Sequence, residues 1–93
     1  MSSKNKIAIP CVVCTHKSGE VEVDIPDLSM SIKASSITEA IAESILNVTA
    51  IYVYRKDHNM PIEVVHTYEE LAKSSIKMKD PHFVHMLTLN GEG

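Results

Sequence analysis

Residues 20–41 read EVEVDIPDLSMSIKASSITEAI, and this stretch carries the pattern that decides the fold. Residues 20–25 alternate acidic with aliphatic side chains, which is typical of a strand with one buried face and one solvated face. Pro26 and Asp27 break that strand, and residues 29–34 predict a second strand that returns beside it. The first half of the stretch therefore predicts two neighbouring strands of a sheet.

The second half of the same stretch predicts the start of a long helix. Residues 36–39 (Ser-Ile-Thr-Glu) fit a capping box, in which the serine hydroxyl accepts from the glutamate amide and the glutamate side chain returns to the serine amide. The helix is expected from about Ile37 to about Lys56. Its apolar face is predicted to comprise Ile37, Ala40, Ile41, Ile45, Val48 and Tyr52, widened by Leu46, Thr49 and Val53.

Further strands are predicted towards both ends of the chain. Residues 7–15 (IAIPCVVCT) indicate a strand that is joined by turn residues to the acidic one, and Pro10 indicates that this strand has one edge, or a bulge, free of ladder bonds. Residues 67–70 predict a second, shorter helix through about Ser74, and residues 82–89 (HFVHMLTL) predict a last strand that is buried on both faces. The order β-β-β-α-(α)-β predicts an α+β two-layer sandwich, with one main helix on a mostly antiparallel sheet.

The length and the net charge of the chain limit the functions that it could have. The 93 residues are expected to form a single domain, 1–93, with frayed ends at 1–5 and 90–93. The net charge of −3 provides no basic field, so DNA binding is not expected and a protein partner is favoured over nucleic acid. No segment resembles a membrane span or a secretion signal, so we expect a soluble, cytoplasmic protein without membrane contact.

Several short motifs resemble those of the HicB family of antitoxins. The second strand runs into a Pro-Asp-Leu turn (residues 23–28, VDIPDL), and the main helix opens with Thr38-Glu39-Ala40. Residues 56–63 (KDHNMPIE) occupy the place of the acidic turn and Pro-Ile-Pro-like segment of that family, and a closing strand follows. The resemblance covers nearly the whole chain.

This resemblance implies a partial ribonuclease-H-like fold, self-association and docking on a small basic toxin of the HicA type, which cleaves RNA. Two features depart from the family pattern. Ser29-Met30-Ser31 stands where the family has a Pro-Gly-Cys-like turn, and no residues after Leu89 could build the DNA-binding domain that many HicB proteins append. Operator binding is therefore not expected.

The candidate partner-binding residues are acidic and aromatic. The acids Glu20, Glu22, Asp24 and Asp27 would complement a basic partner, although a solvated strand face is the simpler explanation of their alternation and needs no partner. Tyr52 and Tyr54 lie on different faces of the helix, so at least one is expected to be exposed as an interface anchor. We expect no catalytic residues and no enzyme activity, because the acids lie in a row along one strand and do not converge on one point.

The two cysteines and two of the histidines raise a zinc hypothesis. The spacings CxxC (residues 11–14) and HxxH (residues 82–85) resemble those of zinc sites. However, residues three apart on a strand point to opposite faces, so neither pair can chelate one ion. We therefore expect no metal and no cofactor, and we expect His16, His58 and His66 to be solvated turn residues.

Two further possibilities stay open at this point. An RNA-binding domain of unknown target is the alternative function, and clustered cations with exposed aromatic residues would favour it. A homodimer or higher homo-oligomer is expected with either function, because a small open sheet has unpaired edges.

Overall fold

The computed structural model describes residues 7–60 and 62–89, so the expected frayed ends lie outside the described residues. The described part contains four strands and two α-helices, and two short 3₁₀ turns connect some of them. The elements are β1 (Ile7–Thr15), β2 (Val21–Ile25), a turn (Pro26–Leu28), β3 (Met30–Ala34), α1 (Ile37–Asp57), α2 (Tyr68–Ser74), a turn (Ser75–Lys77) and β4 (His82–Leu89).

The predicted α+β architecture is confirmed. The four strands form one sheet in the order β3-β2-β1-β4, every neighbouring pair is antiparallel, and α1 packs on one face. β1 is central because it pairs with β2 on one side and with β4 on the other. Its pairing with β2 begins only at Val12, so Pro10 has no strand partner from β2 on that side. This agrees with the free edge that the proline indicates.

The main core lies between α1 and the sheet. Ala40, Ser44 and Val48 are spaced four residues apart and form the buried line of α1. The strand residues beneath them share one face and are also buried: Ile9, Cys11, Val13, Val21, Val23, Ile25, Leu87 and Leu89. Because two of the three central helix residues are small, α1 can approach the sheet closely.

The predicted apolar face of α1 was partly wrong. Ile41, Ile45 and Tyr52 pack against the core as expected, but Leu46 and Val53 are 70% and 48% exposed, and Thr49 and Ile37 are exposed as well. The reason is that α1 is apolar on almost every side, so periodicity alone could not select the face that meets the sheet. The outer side of this helix therefore presents apolar residues to solvent.

The helix caps follow their sequence signals, with one difference. Ser36 Oγ accepts from the Glu39 amide as predicted, at 3.1 Å. The Glu39 carboxylate bonds to Ser35 and not to Ser36, accepting from its amide at 3.2 Å and from its hydroxyl at 2.7 Å. These two bonds lower the pKa of Glu39. At α2, Thr67 and Glu70 form the complete reciprocal box.

The opposite face of the sheet is divided into a covered half and an open half. Pro10, Val12 and Cys14 of β1 point away from α1 and are buried, and α2 contacts both β1 and β4. The buried Leu71 of α2 lies outside the α1-side core, which places α2 on this second face. The β2–β3 half carries the polar residues Glu22, Asp24, Ser31 and Lys33.

β4 is an edge strand, and the prediction that both its faces are buried was wrong. Leu87 and Leu89 are buried against α1, while Phe83 on the same face is 41% exposed because the helix does not reach it. Thr88 on the other face is exposed as well. Within the described residues, no helix combines the length and apolar character that crossing a bilayer requires.

Candidate functional site

Three of the predicted acidic residues lie along the open half of the sheet. Glu20 is exposed just before β2, and Glu22 and Asp24 are half-buried on its outer face, opposite Lys33 and Ser31 of β3. We call Glu20, Glu22 and Asp24 the acidic strand face. Burial and the neighbouring charge of Glu22 raise the pKa of Asp24. Glu22 and Asp24 therefore place two carboxylates close together, and a cationic group of a partner could offset their negative charge.

The fourth predicted acid, Asp27, has a role within the fold. Its side chain is fully buried, and its Oδ1 accepts from the backbone amides of Val65 and His66, each at 3.3 Å. The Nδ1 of His66 lies 2.6 Å from the same oxygen. Asp27 thus fastens the segment after α1 to the end of β2, and a partner could not reach its carboxylate in this arrangement.

The two tyrosines have different surroundings. Tyr52 packs against the core and lies below Lys56, whose Nζ is 6.0 Å from the ring centroid. Tyr54 is 57% exposed and stacks on His58, with ring centroids 4.1 Å apart. The expectation that at least one of the pair is exposed agrees with the structure. Tyr54 is the one that a partner could contact.

The histidines expected to be solvated are all engaged by polar neighbours. His16 bonds to Glu22 and approaches Asp80, His66 bonds to Asp27, and His58 Nδ1 lies 2.8 Å from the carbonyl oxygen of Tyr54. The carboxylates that contact His16 and His66 are brought there by the fold, whereas the Tyr54 carbonyl that contacts His58 lies one helical turn before it. The rings are nevertheless accessible to solvent, since the side chains of His16 and His66 are 36% and 40% exposed and His58 is exposed, so the expectation of solvated rings agrees with the structure.

Cys11 and Cys14 point to opposite faces of β1, as the strand geometry predicts. Cys11 lies in the α1-side core, where its thiol donates to the carbonyl of His85 at 3.3 Å and burial raises its pKa to about 11. Cys14 is buried on the other face. The two cysteines of the CxxC motif therefore cannot bind the same ion. Each cysteine has its own set of neighbours, which depends on the fold and not on the motif.

Cys14 belongs to a polar cluster that sequence reasoning missed. Donor atoms of Cys14, His16 and Asp80 all lie within 4.8 Å of one another, and we call these residues the thiol–imidazole cluster. His16 Nδ1 is 3.4 Å from Asp80 Oδ2, and its Nε2 is 2.7 Å from Glu22 Oε1. Asp80 is 64 positions from His16, and the pairing of β4 with β1 is what brings it there.

The electrostatics of this cluster follow from the carboxylate of Asp80 and from those of its neighbours Glu22 and Asp24. The bond to Glu22 raises the pKa of His16, and the same bond lowers the pKa of Glu22, so the contact favours the charged form of both groups. Burial and the charges of Asp80, Glu22 and Asp24 raise the pKa of the Cys14 thiol. These surroundings disfavour the thiolate, which is the nucleophilic form of cysteine.

The chain was also compared with known proteins. No family model, no curated protein and no solved structure matches it.

Proposed function

We propose that this chain is a HicB-like antitoxin, or a stand-alone protein-binding module of that kind, which covers a small basic RNA-cleaving toxin of the HicA type. It acts by binding and has no catalytic role of its own, and we place it in the cytoplasm. The observation that carries the proposal is the apolar outer side of α1.

That outer side forms a continuous line on the helix. Ala42, Leu46, Ala50 and Val53 follow one another at steps of four, four and three residues, so they share one face, and we call them the α1 stripe. All four are exposed, with Leu46 at 70%. Tyr54 stands at the border of the stripe. An amphipathic helix normally faces water with polar residues, so an apolar outer side favours a surface that another protein covers.

The charges around the α1 stripe favour a basic partner. Glu39 and Glu43 each precede a stripe residue by three positions, and Asp57 follows Val53 by four, so all three acids lie along the same side of the helix. Lys56, three positions after Val53, adds one cation there, so the acids predominate. An apolar centre with an acidic rim provides contact area together with a field that speeds the encounter with a basic protein.

The acidic strand face lies on the opposite side of the sheet, so one small partner cannot contact it and the α1 stripe together. Glu20 and Asp24 remain candidates for a second contact or for long-range attraction of the partner. The two surfaces can be tested separately because substitutions in one leave the other intact.

RNA binding remains the alternative function, and one feature favours it. Lys73, Lys77 and Lys79 are exposed within one short segment that follows the middle of α2. Such a cluster could contact phosphates, and Tyr68 of α2 offers an exposed ring, but the net charge of −3 provides no basic field that would attract RNA. The protein-binding function is therefore the better supported of the two.

The test is co-expression of the chain with the small open reading frame next to its gene, followed by co-purification and a growth assay. We expect a small basic protein to co-purify and its toxicity to be relieved. Leu46→Glu should weaken this binding about thirtyfold or more, the effect of losing one hot spot of about 2 kcal/mol.

Ile76→Glu is the matched control, because Ile76 is an equally exposed aliphatic residue, at 77%, outside α1. It should leave co-purification and growth unchanged. If no protein binds and growth is indifferent to the chain, the antitoxin function is wrong, and a salt-dependent titration with RNA becomes the next experiment.

A further inference from the structure

Three different metal-ligand types converge on one point beside the sheet. Cys14 comes from the end of β1, His16 from the turn that follows it, and Asp80 from the loop that leads into β4. Their sulfur, nitrogen and oxygen atoms lie within 4.8 Å of one another. These residues come from both ends of the chain, so the fold and not a local motif brings them together.

We propose that the thiol–imidazole cluster binds a divalent transition-metal ion of the zinc type, with Cys14 Sγ, His16 Nδ1 and Asp80 as its ligands. The ion would connect the β1–β2 turn to the beginning of β4. Three protein ligands leave a fourth tetrahedral position for solvent.

The orientation of His16 is the second observation that supports this site. Its Nδ1 faces Asp80, while its Nε2–H donates to Glu22 at 2.7 Å. Histidines that ligate metals commonly donate their other ring nitrogen to a carboxylate, which fixes both the ring and the tautomer. Glu22 therefore occupies the place of the outer carboxylate and leaves Nδ1 directed at the cluster.

The distances suit a small tetrahedral ion. Zinc bonds of 2.0–2.3 Å place neighbouring ligand atoms roughly 3.3–3.6 Å apart. The separation of 3.4 Å between His16 Nδ1 and Asp80 Oδ2 already fits. The sulfur must approach by no more than about 1.5 Å, which a side-chain rotation and a small movement of the turn can supply.

The chemistry of the ligands selects the class of ion. Thiolate, imidazole and one carboxylate are donors that zinc accepts together, whereas Ca²⁺ and Mg²⁺ prefer oxygen ligands alone. Glu22 lies 2.7 Å from His16 and adds negative charge beside the three ligands, which a bound cation offsets. On binding, Cys14 loses its proton to solvent and coordinates as the thiolate, and a protonated His16 releases its Nδ1 proton as well so that this nitrogen can ligate the ion.

The test is a titration of the reduced full-length chain with Co²⁺, which reports tetrahedral sites by visible absorption and thiolate ligands by a near-ultraviolet charge-transfer band. We expect both signals to saturate at one ion per chain and to disappear when Zn²⁺ is added. Zn²⁺ should also raise the midpoint of thermal unfolding, because it binds the folded state.

Cys11→Ser and Cys14→Ser form a matched pair, since both thiols are buried in the same strand but on opposite faces. Cys11→Ser should retain the charge-transfer band, and Cys14→Ser should lose it. His16→Gln and Asp80→Asn change partly exposed side chains, and each should weaken Co²⁺ binding by at least about tenfold. Glu22→Gln should weaken Co²⁺ binding by about 10–100-fold, because Glu22 orients His16 through their hydrogen bond.

The competing explanation is that His16 only forms ion pairs with Glu22 and Asp80. In that case the wild-type chain would show no charge-transfer band in excess Co²⁺, and the proposal would be overturned. A band that persists in Cys14→Ser would overturn it equally. If Cys14→Ser does not fold, the partly exposed Asp80→Asn decides, because unchanged Co²⁺ affinity in that variant contradicts the site.

Discussion

Asp27 illustrates how a single side chain can organise two distant segments. It follows β2, yet its carboxylate serves the backbone amides of Val65 and His66, some 38 and 39 positions later. These amides belong to a segment without regular secondary structure, where a strand or helix cannot satisfy them. The buried acid therefore fixes the path of the chain from the end of α1 to the start of α2.

We predict that Asp27→Ala lowers the free energy of unfolding by about 1–3 kcal/mol, because two backbone donors and the His66 ring lose their acceptor. The measurement is equilibrium unfolding in urea. Glu63→Ala is the control, since Glu63 is an exposed acid in the same connecting segment and should change the free energy by less than about 0.5 kcal/mol. Equal effects of the two substitutions would contradict the role assigned to Asp27.

At the scale of the element, α1 depends on small residues along its buried line. Ser44 is fully buried between Ala40 and Val48, and its hydroxyl donates to the carbonyl of Ala40 at 2.8 Å. The hydroxyl is thus satisfied inside the helix and needs no partner from the sheet. What the sheet requires at this position is a small volume.

We predict that Ser44→Leu destabilises the protein by about 1–3 kcal/mol through overpacking against the sheet. Ser44→Ala should be neutral or slightly stabilising, because it removes a buried polar group and improves helix propensity. Thermal unfolding followed by circular dichroism measures both. A tolerated leucine would mean that the space between α1 and the sheet is larger than the burial of Ser44 indicates.

The sequence predicted elements well and their faces less well. Strand alternation and the signals at Ser36 and Thr67 placed the element boundaries within one or two residues, because both are local effects. The exposure of Leu46 could not be predicted, because α1 has apolar residues on nearly all sides and the sequence does not distinguish those that face the sheet from those that face solvent. The thiol–imidazole cluster could not be predicted either, because it depends on the β1–β4 register and on the path of the loop at Asp80.

At the scale of the whole molecule, two strand edges and one helix side remain available for association. In the described part of the chain, β3 and β4 stand at the two ends of the sheet and each pairs on one side. Their outer backbone groups can pair with a second copy, and the α1 stripe supplies an apolar alternative. The oligomer expected from the sequence could therefore form either through a strand edge or through the α1 stripe.

We predict that the isolated chain sediments as a dimer or larger assembly at micromolar concentration. Sedimentation velocity over a range of concentrations measures this. Leu46→Glu separates the two routes, because an edge-to-edge dimer survives the substitution and a dimer through the α1 stripe does not. A wild-type chain that stays monomeric throughout that range would show that the expectation of self-association is wrong.

The central position of β1 has a consequence for synthesis on the ribosome. Among the described strands, β1 is the first to emerge, and β4, which pairs with it from Ile7 to Cys14, is the last. At about 5–20 residues per second, the intervening chain takes on the order of 4 to 15 s to translate. During that delay β1 has one unprotected edge, so this strand is where a nascent chain is most exposed to premature pairing and where a chaperone would act.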